Sequence, residues 1–406
     1  MCGIAGFCNF KEDFEENTDY WNFRLEKMRA VLAHRGNDAR GRFLKKHIGL
    51  SHSRLAIRDI LCGDQPMTRT HNGYDYTICY NGEIYNTDEL IPELSENGFV
   101  CSTTSDTEVI LYAYIHWGAD FVNRLNGIFA FAIWDAAKSR LLLYRDRVGV
   151  KPLFYAIRGD SLVFGSEPKA CFAHPAVKPE LDKQGLQELL AIGPAHTSGL
   201  SLFKDLFEVL PGHFMIYSRD GLHDETYWEL TSREHTESYR DTVAHTRFLV
   251  EDAIKRQMVS DVPVCTFLSG GIDSSIVTAI AANYMNTRGK TLNTFSFDFK
   301  DNDRYFKANA FQPERDLPYV NRMLEEYETA HSYLECDENS LFKALFAAVD
   351  AKDMPGMTDV DSSLLYFCSL VSRKNKVALT GECADEIFGG YPWFYLSLIH
   401  ISEPTR

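Results

Sequence analysis

The pattern of apolar residues changes close to Trp228, and this change constrains the fold more than any other feature of the sequence. Before it, short alternating or wholly apolar runs predict β-strands over residues 48–57, 76–85, 127–135, 140–146, 152–157 and 161–167. Two predicted helices interrupt them, one over 86–98 with Asn86 and Glu89 as a capping pair, and one over 106–118. Strands in runs with few helices indicate two layered sheets with helices outside, an α+β arrangement.

Beyond a polar segment at 229–241, strands and helices alternate along the chain. A helix is predicted from about Arg240 to Met258. Further strands are expected over 262–268, 292–299 and 376–380, and further helices over 274–285, 319–327 and 362–374. This alternation predicts an α/β domain with a parallel sheet wrapped by helices. We therefore predict one domain over 1–228 and a second over 229–395.

The last residues of the sequence, Leu396–Arg406, match the translation of a common sequencing adapter. We expect this segment to be non-native, and we expect the second domain to be incomplete for that reason. A genuine short tail is the alternative explanation for the same residues.

Composition and charge exclude several classes of protein. The formal net charge of −15 argues against binding to nucleic acid or an anionic membrane, because neutralising phosphates requires clustered Lys and Arg. The ten cysteines are scattered without a CxxC pair or zinc-ligand spacing, so most are expected to be reduced core residues. There is no basic segment of a secretory signal, and no apolar run approaches the ~18 residues of a membrane helix. The sequence therefore predicts a cytoplasmic protein without nucleic-acid or membrane partners.

Cys2 follows the initiator methionine directly. Removal of Met1 would leave Cys2 with both a thiol and a free α-amine, whose ordinary pKa of ~7.7 to 8.0 suits it to accept the thiol proton. One residue could then supply the nucleophile and its base. The alternative is that Cys2 is a small apolar residue of an edge strand.

Five motifs follow one another in the first half: CGI from Cys2, HRG from His34, SRLAI from Ser53, NGEIYN from Asn81 and TSDTE from Thr104. In this order they resemble the glutamine amidotransferases of the amino-terminal-nucleophile class. The resemblance implies a four-layer αββα sandwich and implies that Cys2 attacks the side-chain amide of glutamine. One position departs from the family, because Asn37 replaces the proline of H-R-G-P-D. We expect this change to alter loop rigidity rather than chemistry.

The resemblance assigns a role to each residue of the glutamine site. The Asn81 side chain and the Gly82 backbone N–H would stabilise the oxyanion, which needs donors already in place. Arg54 would bind the α-carboxylate of glutamine, Asp106 its ammonium group, and Glu83 the amino-acid portion. Structural explanations exist for the same residues. Arg54 is then a surface strand residue, Asp106 a helix N-cap, and the Asn-Gly pair a hairpin turn.

In the second half, SGGIDS begins at Ser269 between a predicted strand and a predicted helix. Glycines followed at once by a helix present N–H donors and the positive end of the helix dipole, which suit pyrophosphate. The segment resembles the SxGxDS loop of enzymes that cleave ATP between its α and β phosphates, whereas GxxxxGK[ST] is absent. The resemblance makes Asp273 a magnesium ligand. It places Ser269, Gly271 and Ser274 against phosphate and includes Gly270 in the ATP site. A strand-to-helix turn with a serine cap is the alternative.

The segment TGECADEIFGGY begins at Thr380 and resembles the asparagine synthase signature, with Thr and Cys383 where Ser and Gly are common. The resemblance implies that Thr380 and Gly381 contact the nucleotide. It also implies that Glu382 assists proton movement when ammonia attacks, and that Asp385 shares magnesium and pyrophosphate. The alternative for this acidic segment is a solvated turn.

Three apolar residues match positions that line the base and sugar of the nucleotide: Phe267, Leu268 and Phe297. They are equally explained as core strand residues, and the two explanations can hold together. With both sets of motifs, the chain resembles the glutamine-hydrolysing asparagine synthases. The resemblance implies that the sandwich domain is followed by an α/β ATP pyrophosphatase domain, similar to the adenine nucleotide α-hydrolases.

The family resemblance implies a reaction with glutamine, aspartate and ATP, and Mg²⁺ as cofactor. Ammonia released at Cys2 crosses an internal channel and displaces AMP from β-aspartyl-AMP, and pyrophosphate is the other product. Three alternatives stay open. One is a glutaminase only, if the chain stops near Tyr395; another is an amidotransferase for a different carboxylate, because 353–363 departs from the aspartate-using pattern. The third, a non-catalytic binding protein, is disfavoured by the retained reactive residues. The sequence leaves open whether the chain forms a homodimer.

Overall fold

The computed structural model describes residues 1–308 and 314–391. These residues form two compact units. The first unit consists of Met1–His235 and Phe346–Thr358. The second consists of Thr236–Leu345 and the described residues from Asp359 onward. The predicted non-native tail lies outside the described residues, as do the last four positions of the predicted second domain.

The first unit contains two six-stranded antiparallel sheets among its described residues. Its strands are β1 (Gly3–Asn9), β2 (Ala39–Lys45), β3 (Ile48–Arg54), β4 (Met67–His71), β5 (Tyr74–Ile84), β6 (Gly127–Asp135), β7 (Arg140–Arg145), β8 (Phe154–Arg158), β9 (Ser161–Gly165), β10 (Phe207–Glu208), β11 (His213–Ser218) and β12 (Gly221–Thr226). Its helices are α1 (Thr18–Ala30), α2 (Thr87–Glu96), α3 (Asp106–Trp117), α4 (Pro168–Phe172) and α5 (Lys183–Gln187). The strand orders are β10-β8-β9-β1-β3-β2 and β12-β11-β7-β6-β5-β4.

Three apolar cores separate four layers, because alternate residues of each strand face opposite sides of its sheet. The core between the first sheet and helices α1 and α4 contains Phe7, Leu25, Met28, Val163 and Ala170. The core between the two sheets contains Ile4, Leu50, Ala132, Leu143 and Phe164. The core between the second sheet and helices α2 and α3 contains Leu90, Leu94, Ile110, Phe131 and Tyr144. The predicted four-layer αββα sandwich is therefore confirmed.

The predicted capping pair at the start of α2 is wrong. The Asn86 side chain makes no cap bond; its Nδ2 donates to Arg124 O at 2.9 Å, and its Oδ1 accepts from Asn126 N at 2.8 Å. A partner distant in sequence thus competes with local capping. The N-cap explanation for Asp106 is wrong as well, because Ser105 is the N-cap of α3 and accepts the capping bond.

The second unit contains a four-stranded parallel sheet among its described residues, in the order β15-β14-β13-β16. Its strands are β13 (Val264–Phe267), β14 (Leu292–Phe299), β15 (Thr329–Cys336) and β16 (Val377–Leu379). The helices from here on are α6 (Tyr239–Arg256), α7 (Ile272–Asn286), α8 (Asn302–Tyr305), α9 (Leu317–Glu326), α10 (Glu338–Lys352), α11 (Thr358–Val371) and α12 (Ala384–Phe388). The predicted parallel sheet is confirmed.

The strand order of this sheet reverses at β13, which has β14 on one side and β16 on the other. In open parallel sheets, ligands bind outside the carboxyl ends of the strands at such a reversal. The segments SGGIDS and TGECADE directly follow the ends of β13 and β16, respectively. Across the described parts of both units, none of the helices is long and apolar enough to cross a lipid bilayer.

Candidate active sites

Cys2 lies immediately before β1, next to the point where that strand pairs with the end of β3. The backbone of Leu55 fixes its sulfur: Cys2 Sγ accepts from Leu55 N at 3.4 Å and donates to Leu55 O at 3.6 Å. Arg35 Nε donates to the Cys2 carbonyl at 2.9 Å. Burial raises the pKa of the Cys2 thiol, so the sulfur stays protonated until a base removes its proton.

The amine of Met1 lies close to charged side chains, although the Met1 residue as a whole is 51% exposed. Burial lowers the pKa of this amine to about 5; Arg35 and Lys151 add to the effect, whereas Cys2 and Glu83 oppose it. Lys151 Nζ lies 3.0 Å from Met1 Sδ. An amine in these surroundings is unprotonated at neutral pH.

Asn81 and Gly82 lie inside β5, opposite Ala130 and Phe129 of β6, so the hairpin explanation is wrong. Asn81 is 1% exposed, and its Nδ2 is buried with no hydrogen-bond partner among the described residues. A Cβ at position 82 would come within 2.3 Å of Ile128 O, so only glycine fits there. A buried donor without a partner costs about 1–3 kcal/mol. Such a donor is what an oxyanion site keeps in place before its ligand arrives.

Tyr80 precedes these residues at the point where β4 no longer pairs with β5. The β4 ladder ends with Met67 opposite Ile78. Side chains therefore supply the hydrogen-bond partners of the Tyr80 backbone: Tyr80 N donates to Gln65 Oε1 at 2.6 Å, and His52 Nε2 donates to Tyr80 O at 3.0 Å. His52 is 0% exposed, and burial lowers its pKa to about 4, so the ring is neutral and carries its proton on Nε2.

Two carboxyl groups lie near the end of β5. Asp106 Oδ2 accepts from the Tyr80 hydroxyl at 2.8 Å and from Ile84 N at 3.0 Å. Burial raises the pKa of Asp106, and burial together with the nearby Asp106 raises the pKa of Glu83 to about 8. Arg58, which donates to Ile84 O at 2.9 Å, opposes both pKa shifts. Two neighbouring buried acids favour a bound cation such as an ammonium group.

Arg54 is 5% exposed, so its explanation as a surface residue is wrong. Its guanidinium donates to a single loop, with the carbonyls of Arg58, Asp59 and Ile60 and the carboxylate of Asp64 as acceptors, at 2.5 to 3.3 Å. Arg54 thus fixes the loop that follows β3. A glutamine carboxylate would have to share or replace one of these contacts, and its binding by Arg54 stays a prediction.

Glu167, just after β9, connects the HRG segment with the nucleophile. Its Oε1 accepts from Arg35 Nη1 at 2.6 Å and pairs with His34 Nε2 at 3.0 Å, and its Oε2 lies 3.1 Å from Lys169 Nζ. Burial opposes ionisation, but the hydrogen bonds from His34 and Arg35 outweigh it and lower the pKa of Glu167 to about 2. Since Arg35 also donates to the Cys2 carbonyl, Glu167 positions Arg35 and, through Arg35, the backbone of Cys2.

The second unit contains a cavity of about 610 Å³ next to the ends of β13 and β16. The predicted nucleotide residues that line it are Phe267, Leu268, Ser269, Gly271, Asp273, Ser274, Phe297, Thr380 and Gly381. Glu382 and Asp385 line it as well. Gly270 does not line it: its φ is +89°, and a Cβ there would come within 2.8 Å of Asp316 O. Gly270 therefore allows the loop to turn and to pack closely behind the cavity.

The two motif segments of the second unit touch each other. A Cβ at position 381 would come within 2.7 Å of Ser274 N and 2.8 Å of Asp273 Cβ, so Gly381 is required for this contact. The hydroxyls of Ser269 and Ser274 lie 2.9 Å apart, which holds the SGGIDS turn in shape.

Asp273 and Asp385 bring two carboxylates to the same cavity. Burial, followed by the charge of Asp385, raises the pKa of Asp273. Within the described ranges, no group of three or more His, Cys, Asp or Glu could hold a metal ion. A pair of carboxylates nevertheless fits Mg²⁺, which typically takes one or two carboxylates and completes its shell with phosphate oxygens and waters.

Aromatic side chains form one wall of this cavity. The rings of Phe267 and Phe297 pack against Phe367, with centroids 4.6 and 5.0 Å apart. The same residues belong to an apolar core with Cys265 and Phe295. Core packing and a flat surface for a nucleotide base are thus compatible roles.

Comparison with known proteins identifies the family of the chain. Residues 1–228 match the glutamine amidotransferase domain family, and residues 245–404 match the asparagine synthase family. A putative glutamine-hydrolyzing asparagine synthetase 2 of Methanocaldococcus jannaschii is 32% identical over 419 residues, which cover 96% of this chain and 76% of that protein. The chain belongs to the glutamine-hydrolysing asparagine synthetase family. This finding confirms the resemblance inferred from the motifs.

Two further relatives in the comparison are longer than this chain. Glutamine-hydrolyzing asparagine synthetase 3 of Bacillus subtilis is 48% identical over 405 residues, covering 100% of this chain and 65% of that protein. Amidase chyE of Penicillium rubens is 32% identical over 424 residues, covering 100% of this chain and 61% of that protein. The chain therefore spans less than two thirds of the length of either relative.

Three residues around the Cys2 site were not predicted from sequence: His52, Gln65 and Glu167. A signal existed for His52, because it shares its strand face with Leu50 and Arg54, between the core and the site. No local pattern marks Gln65 or Glu167, since their partners are distant in sequence.

Proposed function

We propose that this chain uses the amide nitrogen of glutamine to convert aspartate into asparagine at the expense of ATP. The observation that carries the proposal is the cavity of about 610 Å³ in which two motif segments, separated by more than a hundred residues, meet. The family membership and the amidotransferase unit, with its buried Cys2 site, support the glutamine half of the reaction.

In the glutamine half, Cys2 acts after removal of Met1, because the Cys2 nitrogen is otherwise part of a peptide bond. The new α-amine takes the thiol proton, and the sulfur attacks the side-chain carbonyl carbon of glutamine. The Asn81 amide, which lacks a partner, and the Gly82 N–H would receive the oxyanion. Ammonia leaves with a proton returned by the amine, and water then hydrolyses the thioester to glutamate.

Three residues would hold the amino-acid end of glutamine. Glu83 and Asp106 would bind its ammonium group, which the raised pKa values of these two neighbouring acids favour. Arg54 would bind its α-carboxylate in exchange for one of its loop contacts. The buried surroundings of the amino terminus, which lower the pKa of an amine there, would keep the Cys2 amine free to act as the base.

In the ATP half, Ser269, Gly271 and Ser274 would contact phosphate, with Gly270 shaping the turn. Phe267, Leu268, Phe297, Thr380 and Gly381 would surround the nucleoside. Asp273 and Asp385 would hold Mg²⁺, which supplies positive charge to the phosphate oxygens when bound. The β-carboxylate of aspartate attacks the α-phosphorus, pyrophosphate leaves, and ammonia then displaces AMP. Glu382 would accept a proton from the attacking ammonia.

We also propose a cytoplasmic location, since all ten cysteines are free and a reducing compartment keeps them so. The test of function measures glutamate, AMP and asparagine from the same purified sample. Intact mass reports Met1 removal, and light scattering decides between monomer and homodimer. Glutamate alone would indicate a glutaminase, and AMP with a different amide would indicate another acceptor carboxylate.

Two variants separate the halves of the reaction. Cys2→Ala should abolish glutamine hydrolysis but retain AMP formation with added ammonium, because the second site needs only free ammonia. Asp273→Asn should abolish AMP formation and leave glutamine hydrolysis intact. Loss of both activities in either variant would contradict the assignment of two separate sites.

A further inference from the structure

The cavity of the second unit is strongly acidic. Six carboxyl groups line it: Asp273, Asp298, Asp316, Glu382, Asp385 and Glu386. Arg315 is the single Lys or Arg among the described residues that line it. An anionic ligand such as the triphosphate of ATP therefore meets one fixed positive charge among many negative ones, and the position of that charge decides which part of the ligand is favoured.

Arg315 lies beside the phosphate-type loop. The next residue, Asp316, packs its carbonyl against Gly270, where a Cβ would come within 2.8 Å. Two residues of α9 approach the same glycine, with Tyr319 Cβ at 3.0 Å and Val320 N at 3.4 Å from that position. The start of α9 is thus held against the middle of SGGIDS, and Arg315 lines the cavity from there.

Among the described residues, the guanidinium of Arg315 lacks close hydrogen-bond partners. Its nearest acid is Asp298, with Arg315 Nη2 and Asp298 Oδ2 4.0 Å apart, the limit of an ion pair. Asp298 Oδ1 is already used by Phe299 N at 2.8 Å and Asn302 Nδ2 at 2.7 Å. Arg315 Nε is buried and has no hydrogen-bond partner among the described residues. A buried donor without a partner is costly, so a ligand that supplies acceptor oxygens is favoured.

We propose that Arg315 binds the phosphate oxygens at the leaving end of ATP, the β and γ phosphates that depart as pyrophosphate. The inference rests on the proposed function and adds a residue to it. Guanidinium groups match phosphate with two parallel hydrogen bonds, and Arg remains charged at any physiological pH. When the acceptor oxygen bonds to the α-phosphorus, the bond from that phosphorus to the bridging oxygen breaks. Its electron pair stays on pyrophosphate, where Arg315 would stabilise the added charge.

Calorimetric titration with inorganic pyrophosphate and, separately, with AMP, both in the presence of magnesium chloride, tests this proposal. Arg315→Met should weaken pyrophosphate binding at least tenfold and change AMP binding by less than twofold. Arg315→Lys should recover part of the loss, because it keeps the charge but not the paired hydrogen bonds. Arg322→Met is the matched control: Arg322 lies on α9, which begins just after Arg315, is exposed and is absent from the cavity lining, and the variant should bind both ligands as the wild type does.

Three results would overturn the proposal. Pyrophosphate binding by Arg315→Met within twofold of the wild type would show that the residue does not contact this ligand. Equal losses for pyrophosphate and AMP would indicate a damaged cavity. A loss confined to AMP would place Arg315 at the nucleoside monophosphate end of the ligand instead. The proposed function is tested separately: a wild type that binds pyrophosphate through Arg315 but never forms AMP would refute asparagine synthesis and leave this inference standing.

Discussion

Replacing Glu167 with glutamine tests whether the charge of this side chain holds the amino-terminal site together. In the folded chain Glu167 is 8% exposed and bonded to His34 and Arg35, and its pKa falls from 4.5 to about 2. Each unit of pKa difference corresponds to about 1.4 kcal/mol, so ionised Glu167 contributes about 3 kcal/mol to folding at pH 7. Glu167→Gln keeps the shape and cannot ionise, and it should destabilise the first unit by about this amount.

The dependence on pH distinguishes charge from shape. Because the folded pKa of Glu167 is depressed, its contribution is present above the unfolded pKa of 4.5 and is lost as the pH falls through about 2. The difference in unfolding free energy between wild type and variant should therefore shrink to about 2 kcal/mol near pH 3.5. Urea unfolding followed by tryptophan fluorescence measures it, since four of the five tryptophans precede residue 236.

Glu225→Gln, an exposed position on β12, is the control and should change stability by less than about 0.5 kcal/mol. An equal loss at pH 7 and pH 3.5 for Glu167→Gln would refute the reasoning, because packing rather than charge would then be responsible. The variant should also lower kcat for glutamine hydrolysis, since Arg35 loses the partner that orients it toward the Cys2 carbonyl.

Three further substitutions test other contacts. Gly82→Ala places a Cβ within 2.3 Å of Ile128 O, so the backbone N–H at position 82 must shift. This should reduce kcat for glutamine hydrolysis by about 100-fold, comparable to the loss of an oxyanion donor, and near-wild-type activity would contradict the close fit. His52→Asn removes the donor to the Tyr80 carbonyl and should lower kcat for glutamine hydrolysis about tenfold, which corresponds to about 1.4 kcal/mol. KM for glutamine should stay within twofold of the wild type. A change in KM alone would argue for a different role of His52. Gly381→Ala should raise KM for ATP about tenfold, about 1.4 kcal/mol, with glutamine hydrolysis unchanged, and steady-state assays of both halves check this.

Strong periodicity made most of the fold predictable from sequence. The apolar runs of β5, β6 and β7 and the alternation after Trp228 gave the two classes of sheet. Strands with many polar residues, such as β2 and β12, were missed, because they lie at sheet edges where one face meets solvent. Helix α1 was missed because charged residues surround its few buried side chains, among them Trp21 and Leu25.

For the sites, sequence predicted residue types better than it predicted their partners. Both motif segments of the second unit reach one cavity, as their positions after parallel strands required. By contrast, the contacts of Arg54 with its own loop and of Glu167 with Arg35 depend on which chain segments lie side by side. That arrangement follows from strand pairing across the sheet, which no local window of sequence contains.

The side-by-side pairing of β13 and β16 has a consequence for synthesis of the chain. Cys265 Sγ of β13 donates to Val377 O of β16, which lies 112 positions later in the chain. During synthesis, β13 and the SGGIDS segment therefore leave the ribosome well before β16 and the TGECADE segment are made. The nucleotide proposed for the cavity of the second unit would therefore bind only after both strands have joined the sheet. At a hundred times its Kd, such a ligand would add about 2.7 kcal/mol to the stability of the folded unit and nothing to precursors in which β13 and β16 have not yet paired.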